Sequence, residues 1–273
     1  MLLLKFYILS LFSLIVFILH ERRIANSLIE FMLLKDKHIV GILIVAFILG
    51  FAIYSYSTFL TILMQNYIGW TPLKTGVNQL FISVWSLIIG PATAMIGKKF
   101  QKKFVTAFGM LLALFGFVSM NLNFSLNMTL ISIVPTMILI GLCNAFVNPM
   151  INTSAMEYIE RQHIGTISGL LNVARQLGTS FGIVILGLVQ SSAYNDYLNN
   201  NLSKETNSAI SAIKDAGPFV GKIYTEQNHM PQGLINQSVM AFNHALSQIN
   251  MVTIVMSALA IIVSITMIKK NKI

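Results

Sequence analysis

The chain has 273 residues, of which 55% are hydrophobic and only 10% charged, with a net charge of +9. A soluble domain carries roughly 25% charged residues, so the composition excludes an ordinary soluble enzyme or binding domain and predicts an all-α integral membrane protein with about seven transmembrane helices. The excess of cations does not point to nucleic acid, because the lysines and arginines sit in short clusters between apolar runs and no nucleic-acid-binding motif is present.

A membrane-crossing helix needs about 20 mostly apolar residues. Seven stretches qualify: roughly 1–19, 39–63, 73–96, 104–121, 127–151, 166–190 and 249–268. The first does not read as a cleaved signal. It is too long, holds Lys5, and lacks a small-x-small site before His20-Glu21-Arg22-Arg23. Because MLLLKFYILS already lies inside an apolar run, the expectation is a chain that begins partway through a larger membrane protein. Residues 20–38, HERRIANSLIEFMLLKDKH, form a partly amphipathic connector suited to an interfacial helix. The stretch NYIGWTPLKTG, 66–76, is a short turn. Tyr67 and Trp70 suit the water–lipid boundary, and Thr71-Pro72 suits a helix start. Residues 191–248 are rich in Asn, Ser and Gln and contain DAGPF and NHMPQG as turn signals. They are expected as an external loop, helical in parts over 205–214 and 234–248. Both an ordered cap and a flexible flap are open readings.

Loop charges predict orientation. One set of connections holds Arg22, Arg23, Lys35, Lys37, Lys98, Lys99, Lys102, Lys103, Arg161, Lys269, Lys270 and Lys272. The other, with the long 191–248 segment set aside, holds Lys5 and Lys74. The C-terminus, 269–273, is therefore expected in the cytoplasm, and with seven spans the N-terminus falls outside.

The segment LNVARQLGTSFG, 171–182, places Arg175 inside an apolar run. Counted from Gly165, ten residues at about 1.5 Å each put it about 15 Å deep, near the middle of a core of about 30 Å. An arginine facing lipid there costs at least about 2.5 kcal/mol, so it is expected to face protein or a wet cavity, with Asn172, Gln176 and Thr179 beside it at helical spacing. Structural anchoring, by snorkelling or by polar contacts, and a direct transport role are both open. Gly165, Gly169, Gly178 and Gly182 form two GxxxG pairs, which let helices approach closely. In the preceding span Asn144, Asn148 and Asn152 fall on one face, and Pro149 disturbs the backbone bond to Ala145. That face either bonds a neighbouring helix or lines a passage. Asn78, Gln79, Ser83 and Ser86 make a lesser polar face. The single cysteine, Cys143, reads as a packed apolar residue.

No Asp or Glu lies well inside a predicted span, although intramembrane carboxylates are the usual proton relays. No metal-ligand cluster, catalytic triad or phosphate-binding glycine loop appears. The chain is not expected to be an enzyme or to need a cofactor or metal.

At residues 90–103, GPATAMIGKKFQKK resembles the loop signature of the major facilitator superfamily, through Gly90, Pro91 and the basic run Lys98, Lys99, Lys102 and Lys103. Lys98 stands where that signature has an acid, and Gln101 replaces a later glycine. GTISGLLNVARQLGTSFGIVILG, 165–187, is similar to a segment of fourteen-span drug:proton antiporters of the EmrB/QacA type, and WTPLKTGVNQL, 70–80, resembles their turn. The resemblance covers the second half of the family pattern. It implies that 1–20 is the last linker span of a truncated N-terminal part and that 39–268 is a six-span C-terminal bundle of two inverted repeats.

The resemblance further implies a multi-pass protein of the cell (inner) membrane, the C-terminal half of a multidrug efflux carrier exporting amphipathic compounds against protons. It would be inactive without an N-terminal bundle, with a separately encoded half as the implied partner. Its candidate cavity residues are Asn144, Asn148, Asn172, Arg175 and Gln176. Arg175 is expected to organise polar contacts, since it would repel a cationic drug. Two other readings stand beside this one: a non-transporting membrane protein docking an envelope adaptor through 191–248, and a seven-span receptor, which rests on span count and orientation alone.

Overall fold

The computed structural model describes residues 33–123, 129–160, 163–201 and 207–269, together with Phe12, Ser13 and Val16. The rest of the first predicted span, the connector as far as residue 32, Arg161 and the tail 270–273 lie outside the described residues. Within them the chain is a helical bundle: α1 (Lys37–Tyr67), α2 (Pro72–Lys99), α3 (Lys102–Leu122), α4 (Leu130–Glu157), α5 (Ile164–Asn201), α6 (Asn207–Gln227) and α7 (Gln232–Met267). All except α6 are long and apolar enough to cross a membrane. Successive spans alternate in direction. The basic end therefore gathers Lys37, Lys98, Lys99, Lys102, Lys103 and Lys269, and the opposite, far end carries α6.

The local chemistry explains the boundaries. Asp36 caps α1 by accepting from the His38 amide at 2.9 Å. Gly69, at φ 80°, turns the chain after α1. Thr71 Oγ1 accepts from the Lys74 amide at 3.3 Å, with Pro72 in the first turn of α2, so this helix starts where its sequence predicts. Two stretches of α1, Leu49–Tyr54 and Leu63–Tyr67, are π-helical. Such wider turns shift the faces of the residues that follow them.

α1 is the hub. Ile42, Val45, Ala46, Leu49, Ala52, Tyr56, Phe59, Leu60 and Leu63 are all buried in the common core. Its tightest crossing is with α5. A Cβ at Gly178 would collide with the Phe47 carbonyl, one at Gly182 with Phe51 and Ser55, and one at Gly50 with the Arg175 carbonyl. The glycine pairs of α5 therefore divide. Gly178 and Gly182 make the close approach, whereas a Cβ at Gly165 or Gly169 would meet nothing within 4 Å. α1 and α5 thus touch backbone to backbone at mid-length, while the basic-end turns of α5 bury Ile167 and Leu171 and leave Gly165 and Gly169 on an open side. α3 and α4 form an antiparallel hairpin closed at Gly109 and Gly116, with Thr136 Oγ1 donating to the Gly116 carbonyl at 3.1 Å. Cys143 is fully buried in this seam, its thiol 3.8 Å from the Met110 sulfur. α2 is peripheral and packs mainly on α4, where Gly141 lets its Ile82 and Trp85 in.

α5 has 38 residues and α7 has 36, or about 57 and 54 Å at 1.5 Å per residue, well beyond a core of about 30 Å. Segment 191–248 is thus mostly helix: the far-end extensions of α5 and α7, with α6 between them. α6 breaks at Gly217 (φ 73°) before Pro218. There Tyr67 donates to the Pro218 carbonyl, Asn66 Nδ2 to the Phe219 carbonyl at 2.8 Å, and Lys222 Nζ to the Tyr67 carbonyl at 2.6 Å. Tyr67 also stacks on Phe242, centroids 3.7 Å apart. Deeper, Tyr56 donates to Asn250 Oδ1 at 2.6 Å and Asn250 Nδ2 to Asn121 Oδ1 at 2.7 Å, joining α1, α7 and α3.

The basic end has its own clasp. The Lys269 amide donates to His38 Nδ1 at 3.0 Å, so the other ring nitrogen carries the hydrogen it gives to the Ser154 carbonyl at 3.1 Å. Lys269 Nζ lies 2.7 Å from Asp36 Oδ2, and Lys102 lies 2.7 Å from Glu157. The hydrogen bond from Lys269 holds the Asp36 carboxyl below its ordinary pKa. Partial burial pushes the Tyr158 phenol up.

Substituting Gly178→Ala should destabilise the protein by about 1–3 kcal/mol through overpacking, while Gly165→Ala should not, as read by thermal unfolding in detergent. Because the folded pKa of Asp36 is depressed, its ion pair contributes fully above about pH 4 and is lost as pH falls through the folded value. Asp36→Asn keeps the cap and removes the charge, so its unfolding midpoint should sit below wild type by a constant margin from pH 6 to 8 and converge on it as pH falls through the depressed folded pKa.

Candidate functional site

The polar groups of the span interiors collect where α1, α2 and α4 meet. Pro149 removes a backbone donor from α4 next to Asn148, and Tyr54 closes the first π-helical stretch of α1. The Tyr54 hydroxyl donates to Asn144 Oδ1 at 3.0 Å. Asn148 Nδ2 lies 2.7 Å from the Tyr54 oxygen and 2.8 Å from Asn144 Oδ1. Asn144 Nδ2 donates to Ser86 Oγ on α2 at 3.1 Å. The four side chains form a polar knot with one atom of its own left over, and a neighbouring residue adds a second. Asn148 Oδ1 and, next to Ser86, Trp85 Nε1 are buried without a partner, each leaving a desolvation cost uncompensated. Asn152, the third rung of the amide ladder, folds back onto the Asn148 carbonyl at 2.8 Å and does not join the knot.

Arg175 lies on the neighbouring α5. Its backbone is pressed against Gly50, one turn before Tyr54 on α1, and Thr179 Oγ1 holds its carbonyl at 2.9 Å. Its Nη1 donates to Asn172 Oδ1 at 3.1 Å, and its Nε is buried without a partner. Asn172 and Gln176 lie on an exposed stripe of α5 with Val173, Leu177 and Phe181. The five predicted cavity residues therefore separate into three places: Asn144 and Asn148 in the knot, Arg175 at the α1–α5 crossing, and Asn172 and Gln176 on the open flank. At the basic end, Gly90 meets nothing that a Cβ would touch, Pro91, Lys98 and Lys99 are exposed, Lys102 pairs with Glu157, and Lys103 lies over the Phe104 ring.

Sequence reasoning missed Tyr54, the residue that ties the knot, and the buried triad Tyr56, Asn250 and Asn121. One signal was available. Residues 54–57 read Tyr-Ser-Tyr-Ser in the middle of an otherwise apolar span. Among the described residues no group of His, Cys, Asp and Glu is placed to hold a metal ion. The arrangement offers hydrogen bonds, one fixed positive charge and exposed apolar side chains.

Comparison with known proteins agrees with this architecture. Residues 4–183 match the Major Facilitator Superfamily. Among curated relatives, the "Multidrug transporter protein MdtP" of Bacillus subtilis (strain 168) is 25% identical over 236 residues, covering 84% of this chain and 42% of the relative. "Multidrug resistance protein 3" of the same organism is 23% identical over 251 residues, covering 90% and 48%. "Multidrug resistance protein Stp" of Mycobacterium tuberculosis (strain ATCC 25618 / H37Rv) is 24% identical over 176 residues, covering 63% and 32%. The chain spans less than half the length of each of these relatives. A match over most of its length, to a family whose relatives are named as transporters, joins an all-helical bundle of six apolar spans, and on that evidence this chain belongs to the Major Facilitator Superfamily.

Proposed function

We propose that this chain is the C-terminal half of a proton-coupled multidrug efflux carrier of the fourteen-span type, supplying one wall of a central cavity that a second bundle completes. The observation that carries the reading is the polar knot of Tyr54, Asn144, Asn148 and Ser86, held in the interior of apolar spans with buried polar atoms to spare. Hydrocarbon does not solvate such atoms, whereas a substrate or cavity water does. The flanks support it too. α2 and α5 are the least buried of the six spans. The exposed stripe of α5 places two amides, Asn172 and Gln176, among apolar side chains, a mixture that suits contact with another bundle better than lipid. Gly165 and Gly169 lie on the same helix with open space before them, room for a close approach by that bundle. The printed names of the relatives supply the substrate class, and the second-half resemblance supplies the missing bundle.

In this reading the basic end faces the cytoplasm of a cell whose inner membrane holds the protein, and α6 caps the outer end. The proton relay falls to the other bundle, since no Asp or Glu occurs between residues 37 and 156 or between 161 and 195.

Co-expression with the N-terminal half of a relative such as the Bacillus subtilis multidrug transporter should restore dye efflux that neither half gives alone. No efflux from a folded pair would overturn the reading. In that pair Tyr54→Phe, which leaves buried amides short of a partner at a cost of about 1–3 kcal/mol, should lower efflux severalfold. For orientation, a cysteine at Asp215 on α6 should react with an impermeant maleimide in whole cells, while one at Lys98 should react only after permeabilisation; the opposite pattern would invert the assignment.

A further inference from the structure

We infer that His38 is a proton-operated latch: in its neutral form it ties the start of α1 to the ends of α4 and α7, and a proton on its ring releases the chain that leaves α7. The inference goes beyond the carrier reading and does not depend on it. Three elements meet on this one imidazole. His38 follows the Asp36 cap in the first turn of α1 and is fully buried. α7 ends at Met267, and the next residue, Ile268, turns to an extended conformation (ψ 125°) and is itself buried. That turn aims the Lys269 amide at His38 Nδ1, 3.0 Å away. From the other side the carbonyl of Ser154, in the last turn of α4, accepts from Nε2 at 3.1 Å. The Tyr158 ring meets the imidazole edge-on, centroids 4.4 Å apart.

The two bonds admit one protonation state. A main-chain N–H can only donate, so Nδ1 holds a lone pair and Nε2 holds the hydrogen that Ser154 accepts. An added proton has one place to go, Nδ1, where it faces the hydrogen of the Lys269 amide. That bond is then replaced by repulsion between two donors, while the bond to Ser154 is kept and strengthened by the charge. Protonation therefore acts on α7 and spares α4. A proton needs no cavity to arrive, because the ring sits one residue after exposed Lys37 and two after partly exposed Asp36. Among the described residues the charges around it come in opposed pairs, Asp36 with Lys269 at 2.7 Å and Glu157 with Lys102 at 2.7 Å. A Cβ at Gly41 would collide with Met267, so α7 itself stays docked on α1 by close packing, and the part set free is the chain from Ile268 onward. With the basic end in the cytoplasm, as proposed above, the latch responds to cytoplasmic pH.

The test uses the full chain in nanodiscs with its histidine and lysine nitrogens isotopically labelled, so that NMR reads both ends of the bond in one sample. At about pH 8, the upper end of the histidine range, the His38 ring should be neutral with its hydrogen on Nε2, and the Lys269 amide should exchange slowly with solvent. Between about pH 8 and 5 the ring should take up a proton. Over the same interval Lys269 protection, corrected for the intrinsic pH dependence of exchange and referenced to Lys99 in the last turn of α2, should fall about tenfold per pH unit below the midpoint, the slope of a single proton. A ring that stays neutral throughout, a neutral ring with its hydrogen on Nδ1, or a ring that titrates without change at Lys269 overturns the inference. His38→Gln accepts and donates but takes up no proton, so Lys269 protection should become independent of pH; a wild-type pH dependence in this variant overturns the inference. If the variant does not fold, coincidence of the two midpoints in wild type decides alone. Asp36→Asn removes the neighbouring ion pair, and ring and amide should still change together. A titrating ring beside an unresponsive Lys269 amide in that variant would place the switch in the ion pair and overturn the inference.

Discussion

In hydrocarbon there is no water to finish an unmade hydrogen bond, and this structure is organised around that constraint. Ser and Thr in the spans spend their hydroxyls on the carbonyl one turn back, as Thr106, Thr179, Ser257 and Ser264 do. The longer polar side chains cannot do so while remaining on an inward face, so they are paired across helices. Tyr56, Asn250 and Asn121 join α1, α7 and α3 into one unit, and Tyr54 with two asparagines and Ser86 joins α1 to α4 and α2. The first network satisfies the tyrosine hydroxyl and leaves no buried atom of the three without a partner. The second leaves the Asn148 amide oxygen over.

The same constraint explains the glycines. Because lipid tails are as apolar as leucine, helices associate in a membrane by close packing and polar contacts rather than by escape from solvent. The α1–α5 crossing reaches backbone contact at Gly50, Gly178 and Gly182, and this fixes Arg175 relative to Tyr54. A guanidinium with no ion pair among the described residues is thereby held by packing at the α1–α5 crossing.

Much of the architecture was legible in the sequence. Run length alone located six spans, because twenty apolar residues have few other uses, and Thr71-Pro72 marked a boundary by a local rule that needs no tertiary context. The amide ladder on α4 was visible as a face, but its partners were not. Tyr54 reaches Asn144 only after a π-helical stretch shifts its azimuth, and a 3.6-residue periodicity does not register such a shift. The four glycines looked equivalent, yet only two meet another backbone, since crossing position is set by the tilt of a helix that is distant in sequence. Segment 191–248 reads as a loop because its polar composition hides helices that lie beyond the bilayer and need no apolar girdle there.

The anchoring of α6 has a mechanical corollary. Among the described residues the hydrogen bonds between α6 and α1 end on main-chain carbonyls, those of Pro218, Phe219 and Tyr67, so the joint depends little on which side chains decorate the elbow at Gly217. The attachment point on α1 is its second π-helical turn, and the first such turn lies two helical turns below it. Any flexure of α1 between those loosened coils would swing the elbow as a crank swings its handle. The far-end helix and the tyrosine that grips the interior amides would then travel on one shaft, linking the far end of the bundle to its middle without a relay of side chains between them.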